Sequence, residues 1–235
     1  MLIAIKKEQN MENNKFIFKL EKSLIKTTFY TLIFLSFVEI IAYYGFFKNI
    51  PEFFSKYGYY LIFLVIAIIT NSVAVWHIKA YKHVFSHMNG MMIGMTIGMS
   101  SGFSIGLIVG STNGMFVGTI SGLVIGMIVG GYVGNCCGIM GVMEGMMAGL
   151  MGGLMGAMTS VMTLNDNIKF IVPILILSIL IIIIGLLYMI YNEEIQHETN
   201  ITYKGFQFLP FITINFIITL TLTFLMVYGP RSFLF

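Results

Sequence analysis

About seven stretches of roughly twenty apolar residues, separated by short polar segments, leave this chain few ways to fold. A stretch of that length spans the hydrocarbon of a bilayer as a helix, because lipid offers no partner for unpaired backbone N–H and C=O groups. The windows fall at Thr28 to Phe47, Tyr59 to Ile78, His87 to Gly110, Met115 to Val133, Gly138 to Met162, Phe170 to Tyr191 and Phe208 to Tyr228. The expected fold is all-α, a polytopic integral membrane bundle of about seven transmembrane helices. Composition agrees: 57% of the 235 residues are hydrophobic and 10% charged, against about 25% charged in a soluble domain.

The chain divides into a basic N-terminal segment, 1–27, a first helix pair, 28–82, a Gly/Met-rich core, 83–163, and a last helix pair with an acidic connection, 164–235. Residues Met1 to Lys26 lack the short apolar run and small-residue cleavage site of a signal peptide, so no removal is expected. With the N-terminus inside, Lys6, Lys7, Lys15, Lys19, Lys22, Lys26, Lys79, Lys82 and Lys204 lie on the inner side. Only Lys48, Lys56, Lys169 and Arg231 lie outside. That imbalance predicts a cytoplasmic N-terminus in a plasma membrane of bacterial type. The net charge of +3 is small and serves orientation, which argues against nucleic-acid binding.

The core carries a second constraint. From Gly90 to Gly138 a glycine occupies every fourth position; a three-residue step then leads to Gly141, Gly145, Gly149 and Gly153. In water each helical glycine would cost roughly 1 kcal/mol relative to alanine. In lipid the helix persists, and the missing side chains leave a groove that a neighbouring backbone can enter. The expectation is a central Gly-x-x-x-Gly zipper of three tightly packed helices, closing on one another or on a neighbouring subunit in a homo-oligomer. Turns are expected at Ser111 to Gly114 and at Asn135-Cys136-Cys137.

Fifteen of the 19 methionines lie between Met88 and Met162. In the third window Met88, Met91, Met92, Met95 and Met99 recur at helical spacing, and in the fifth Met140, Met143, Met147, Met151, Met155, Met158 and Met162 do so. Met140, Met151 and Met162 are eleven residues apart, so their face keeps a nearly constant direction. Two readings compete. Methionine is a flexible filler for the gaps that glycine leaves, or its thioethers form a ladder of soft, uncharged ligands for Cu(I). The second reading requires the two rows to turn toward one shared interior.

Polar groups adjoin these rows. His83 and His87 precede Met91, Met95 and Met99 at four-residue spacing, and Cys136 and Cys137 precede Met140. Imidazole and thiolate suit the capture of the same ion. Vicinal cysteines are poorly placed to bridge each other. Glu144 lies in the fifth window and Glu39 in the first. An intramembrane charge costs on the order of 3 kcal/mol or more, so each carboxyl is expected protonated, paired or facing water, with proton exchange or a relay between them as candidate roles. His197 with Glu193, Glu194 and Glu198 forms an acidic patch expected to be solvated.

The M-x-x-x-M spacing of Met91 with Met95, and of Met95 with Met99, resembles the motif of the eukaryotic copper uptake family, whose short trimeric subunits also pack through G-x-x-x-G. The resemblance covers only these residues. Family subunits have three spans and carry the motif on different helices, so it implies shared thioether chemistry rather than descent.

No phosphate-binding loop, H-E-x-x-H pair, nucleophile-elbow serine or dinucleotide fingerprint occurs, which disfavours an enzyme. The leading expectation is transport or trafficking of a soft metal ion, Cu(I) foremost, along the methionine faces, with exchange to a metal donor or acceptor protein. The alternative is a non-enzymatic glycine-zipper oligomer acting as a channel or structural subunit.

Overall fold

A computed structural model describes residues 26–41, 57–80, 87–164, 167–196 and 208–230. Its helices are α1 (residues 26–41), α2 (Tyr59–Ala80), α3 (His87–Asn113), α4 (Met115–Gly134), α5 (Gly138–Met162), α6 (Ile168–Gln196) and α7 (Phe208–Tyr228), with a short 3-10 turn at Asn135–Cys137. No strand occurs among the described residues. Six helices, α2 to α7, are long and apolar enough to cross a membrane. The chain is thus a polytopic helical membrane bundle in contact with lipid. The last part of the first expected span, residues 42–47, lies outside the described residues.

α3 and α6 end three or more residues beyond expectation, and local chemistry accounts for the first. α3 continues through Ser111–Asn113, where a turn was expected to start. Ser111 Oγ donates to Ile108 O and Thr112 Oγ1 to Val109 O, while Asn113 Nδ2 donates to Leu225 O of α7. Polar side chains satisfied within the last turn keep the helix intact there. The reversal falls on Gly114 alone, whose φ of 98° suits a residue without a Cβ. α6 also runs on to Gln196, so Glu193 and Glu194 stand on a helix; His197 and Glu198 lie outside the described residues.

α3 is the hub, packing on α2, α4, α5, α6 and α7. One apolar cluster joins the start of α2 (Leu61, Leu64, Ile68) to the end of α3 (Ile105, Leu107, Ile108), the start of α6 (Val172, Ile176) and the end of α7 (Leu222, Met226). A second joins Ala74 and Ile78 of α2 to Ile93 and Ile97 of α3 and Ile179, Ile183 and Ile190 of α6. α2 therefore runs antiparallel to α3 and α7 and parallel to α6. α1 lies outside this set, with buried Leu35 against Val65 and Ile69 of α2 and beside Phe216 of α7.

Polar contacts fix α2 within this apolar frame. Asn71 Nδ2 donates to Ser104 Oγ at 3.2 Å, and Ser100 Oγ donates to Asn71 Oδ1 at 3.0 Å. One position on, Ser72 Oγ donates to Asn215 Oδ1 of α7. In lipid such bonds orient helices that apolar contact alone would leave free to rotate. Asn71→Leu breaks both links to α3, with an expected cost of about 1 kcal/mol. The thermal midpoint of the detergent-solubilised protein should fall, and an unchanged midpoint would remove this role.

Candidate functional site: a glycine core and its methionine face

The glycines of α3, α4 and α5 meet level by level. A Cβ added to Gly98 would lie 2.5 Å from Gly145 O and 3.1 Å from Gly130 Cα. One added to Gly126 would lie 2.7 Å from Gly149 O and 2.9 Å from Gly102 Cα, and one added to Gly122 would lie 2.9 Å from the Cα atoms of both Gly106 and Gly153. The levels run Gly94 with Gly134 and Gly141, Gly98 with Gly130 and Gly145, Gly102 with Gly126 and Gly149, Gly106 with Gly122 and Gly153, and Gly110 with Gly118 and Ala157. Backbone meets backbone at each level, which leaves no room for an ion along this axis.

This register follows from the sequence. Gly114 sits on the four-residue repeat and also makes the reversal, so residues equidistant from it, such as Gly106 and Gly122, fall opposite one another. The second reversal centres between Cys137 and Gly138, where φ at Gly138 is 78°. A four-residue step there would put the α5 glycines out of phase with α4. The three-residue step from Gly138 to Gly141 restores the match, and α5 consequently runs parallel to α3.

The methionines take the opposite side. Met140, Met143, Met147, Met151, Met155, Met158 and Met162 are between 46% and 67% exposed, whereas Gly141, Gly145, Gly149, Gly152, Gly153 and Gly156 are buried. At about 100° per residue, Gly149 lies about 180° from both Met140 and Met158. On α3, Met88, Met92, Met95 and Met99 are likewise exposed and Met91 is half-buried. The expectation of a shared interior within one chain is therefore overturned: a helix that buries its glycines against α3 and α4 must turn the opposite stripe outward. The exposed row from Met140 to Met162 does not fill the gaps left by the core glycines, which are occupied mostly by backbone; Met146, beside that row, does pack over Gly131.

The two rows do adjoin. Gly152 abuts the backbone of Met99, with Met99 Cα 3.0 Å from where its Cβ would stand, so the α3 row reaches α5 within one turn of Met151 and Met155. α4 differs, because apart from Met115 at its start its outward residues are Phe116, Ile120, Val124, Ile128 and Tyr132. Neighbouring helices of one core thus present different chemistry to their surroundings.

The start of α3, the Asn135–Cys137 turn and the start of α5 come together at one end of the bundle. Half-buried Cys136 and exposed Met88 and Met140 are placed there. His83 lies outside the described residues, as do the side chains of His87 and Cys137. Among the described residues no three His, Cys, Asp or Glu side chains gather as a metal site. Glu144 is half-buried on the methionine face, and Glu39 is half-buried on α1 with Oε1 lacking a hydrogen-bond partner. α1 packs on α2 and α7 while α5 packs on α3 and α4, so a direct relay between the two carboxyls has no support in the packing.

Sequence reasoning missed the polar residues Asn71, Ser72, Ser100, Ser104 and Asn215, and with them buried His77 on α2. Their signal was available: an amide or imidazole inside an apolar window marks a helix contact or a functional group. The chain matches no family model, no curated protein and no solved structure.

Proposed function

We propose that this protein binds and passes a soft metal ion, Cu(I) foremost, along the thioether rows that α5 and α3 present on the outside of their glycine core. The shared interior this reading requires is not formed within one chain, so an ion's route needs a second surface to enclose the rows. What supports the reading is the concentration of thioethers on the outward faces of α5 and α3. The row from Met140 to Met162 fills no gap between α3, α4 and α5, and α4 covers its own outward face mainly with Phe, Ile, Val and Tyr, so packing within the chain gives no reason for thioethers on α5. Sulfurs three and four residues apart on one helix face can share an ion, and a succession of such weak sites lets it move between turns. Cys136, Met88 and Met140 mark the end at which an ion would enter, with His83, His87 and Cys137 as further donors in sequence.

Under this reading the protein performs no covalent chemistry, lies in a plasma membrane of bacterial type with its N-terminus in the cytoplasm, and exchanges its cargo with a soluble donor or acceptor. The alternative, an oligomer or channel built through glycine faces, has less support. The glycines of α3, α4 and α5 already have partners within one chain. The test is metal content. Purified protein equilibrated with Cu(I) under reducing conditions should retain copper in stoichiometric amount, measured by mass spectrometry, and replacing Cys136 and Cys137 with serine should leave most of that copper bound, because the thioether rows remain. Copper at the level of an empty-detergent control would end the proposal.

A further inference from the structure

We infer that the methionine face of α5 is the contact between two copies of this chain, α5 against α5, about a two-fold axis normal to the membrane. Among the described residues the face is unpartnered, since α5 packs on α3 and α4 through its buried glycines. It also carries Glu144, two turns into an apolar span and on the same stripe as Met140, Met147 and Met151. A carboxyl turned to lipid is costly, and residues 83–163 contain no lysine or arginine that could cover it.

A second copy of the chain meets this need. Copies inserted with the same topology relate through an axis along the membrane normal, so identical residues stand at identical depth. Glu144 then meets the partner's Glu144, and two carboxyls that share a proton complement each other, one supplying the O–H donor and the other an acceptor oxygen. The stripe geometry agrees. Met140, Met151 and Met162 hold one direction over the full helix length, so two parallel copies can stay in register from end to end. Methionine, flexible and unbranched, suits a self-packing face of this kind.

The docking stands without any ion. The same contact would also set two thioether rows face to face and enclose them from lipid, and that consequence rests on the function proposed above.

The test places single cysteines in the full chain, in native membranes, with Cys136 and Cys137 replaced by serine. Met147→Cys and Met151→Cys lie at the centre of the face and are exposed, so both should fold. Mild iodine oxidation, with a Cu(I) chelator present, should give a disulfide dimer of twice the chain mass from each. Ile128→Cys, on the outward face of α4, should stay monomeric. Absence of the dimer from the α5 variants, an equal yield from Ile128→Cys, or a product of another mass would overturn the inference. A dimer formed by a protein that retains no copper would leave the docking standing and remove only the transport reading.

Discussion

Gly126→Leu should yield no folded protein, and Gly126→Ala should already lose most of it. The first atom of any side chain at this position lands 2.7 Å from Gly149 O, 2.9 Å from Gly102 Cα and 3.0 Å from Gly149 Cα. These are backbone atoms of two different helices, so no rotamer change relieves the clash; α3, α4 and α5 must separate. Overpacking a well-filled core costs about 1 to 3 kcal/mol when side chains can yield. Here the cost for alanine should reach at least about 3 kcal/mol, because separation at one level loosens the levels on either side. Gly185→Ala on α6 is the matched control. Nothing lies within 4 Å of its added Cβ, and alanine in a helix interior is favoured over glycine by up to about 1 kcal/mol. Size-exclusion profiles and thermal midpoints in detergent should therefore show collapse for Gly126→Ala and no loss for Gly185→Ala. Equal behaviour of the two would mean that the three helices do not meet at Gly126.

The helical spans were legible because lipid removes the ambiguity that soluble sequences carry: an apolar stretch of twenty residues has one backbone solution. α5 and α7 begin and end where hydropathy places them, at Gly138–Met162 and Phe208–Tyr228. The end of α3 is governed by side-chain hydrogen bonds rather than hydropathy. Ser111 and Thr112 read as a polar turn, yet their hydroxyls bond back along α3. The register of the glycine core was also legible. The repeat runs unbroken through Gly114 and shifts by one residue after Gly138, which is the pattern of a chain folding back on itself twice.

The direction of the methionines was legible too, and an expectation set by ligand chemistry pointed the other way. On α5 the glycine and methionine stripes lie on opposite sides of the helix wheel, so both cannot face one interior. What no single chain discloses is the environment of an outward face. Helical periodicity says which residues share a side, and burial says that the side is open, but lipid, a partner and an ion leave the same mark on spacing. The links from Asn71 to Ser100 and Ser104, and from Ser72 to Asn215, were hidden for another reason. Pairing across helices depends on rotation about each axis, which packing sets.

The fourfold variant Met95→Leu, Met99→Leu, Met147→Leu and Met151→Leu separates thioether chemistry from packing. All four side chains are more than two-fifths exposed on the outward face, so replacing them with leucine, which is close in volume, should cost less than about 1.5 kcal/mol of stability per site and leave the protein folded. The glycine levels behind them are untouched. Copper retention should nevertheless fall at least about tenfold, corresponding to a loss of about 1.4 kcal/mol or more per bound ion, and metal-dependent uptake, efflux or resistance in cells should be abolished. Leucine matches methionine in apolarity and lacks the sulfur lone pair, which makes the substitution selective for ligation. The matched control carries Ile120→Leu, Val124→Leu and Ile128→Leu on the outward face of α4, and it should retain copper at the level of the unaltered protein. If the methionine variant keeps its copper and its metal-dependent phenotype, the thioethers are no ligands, and the outward stripe of α5 is a packing surface.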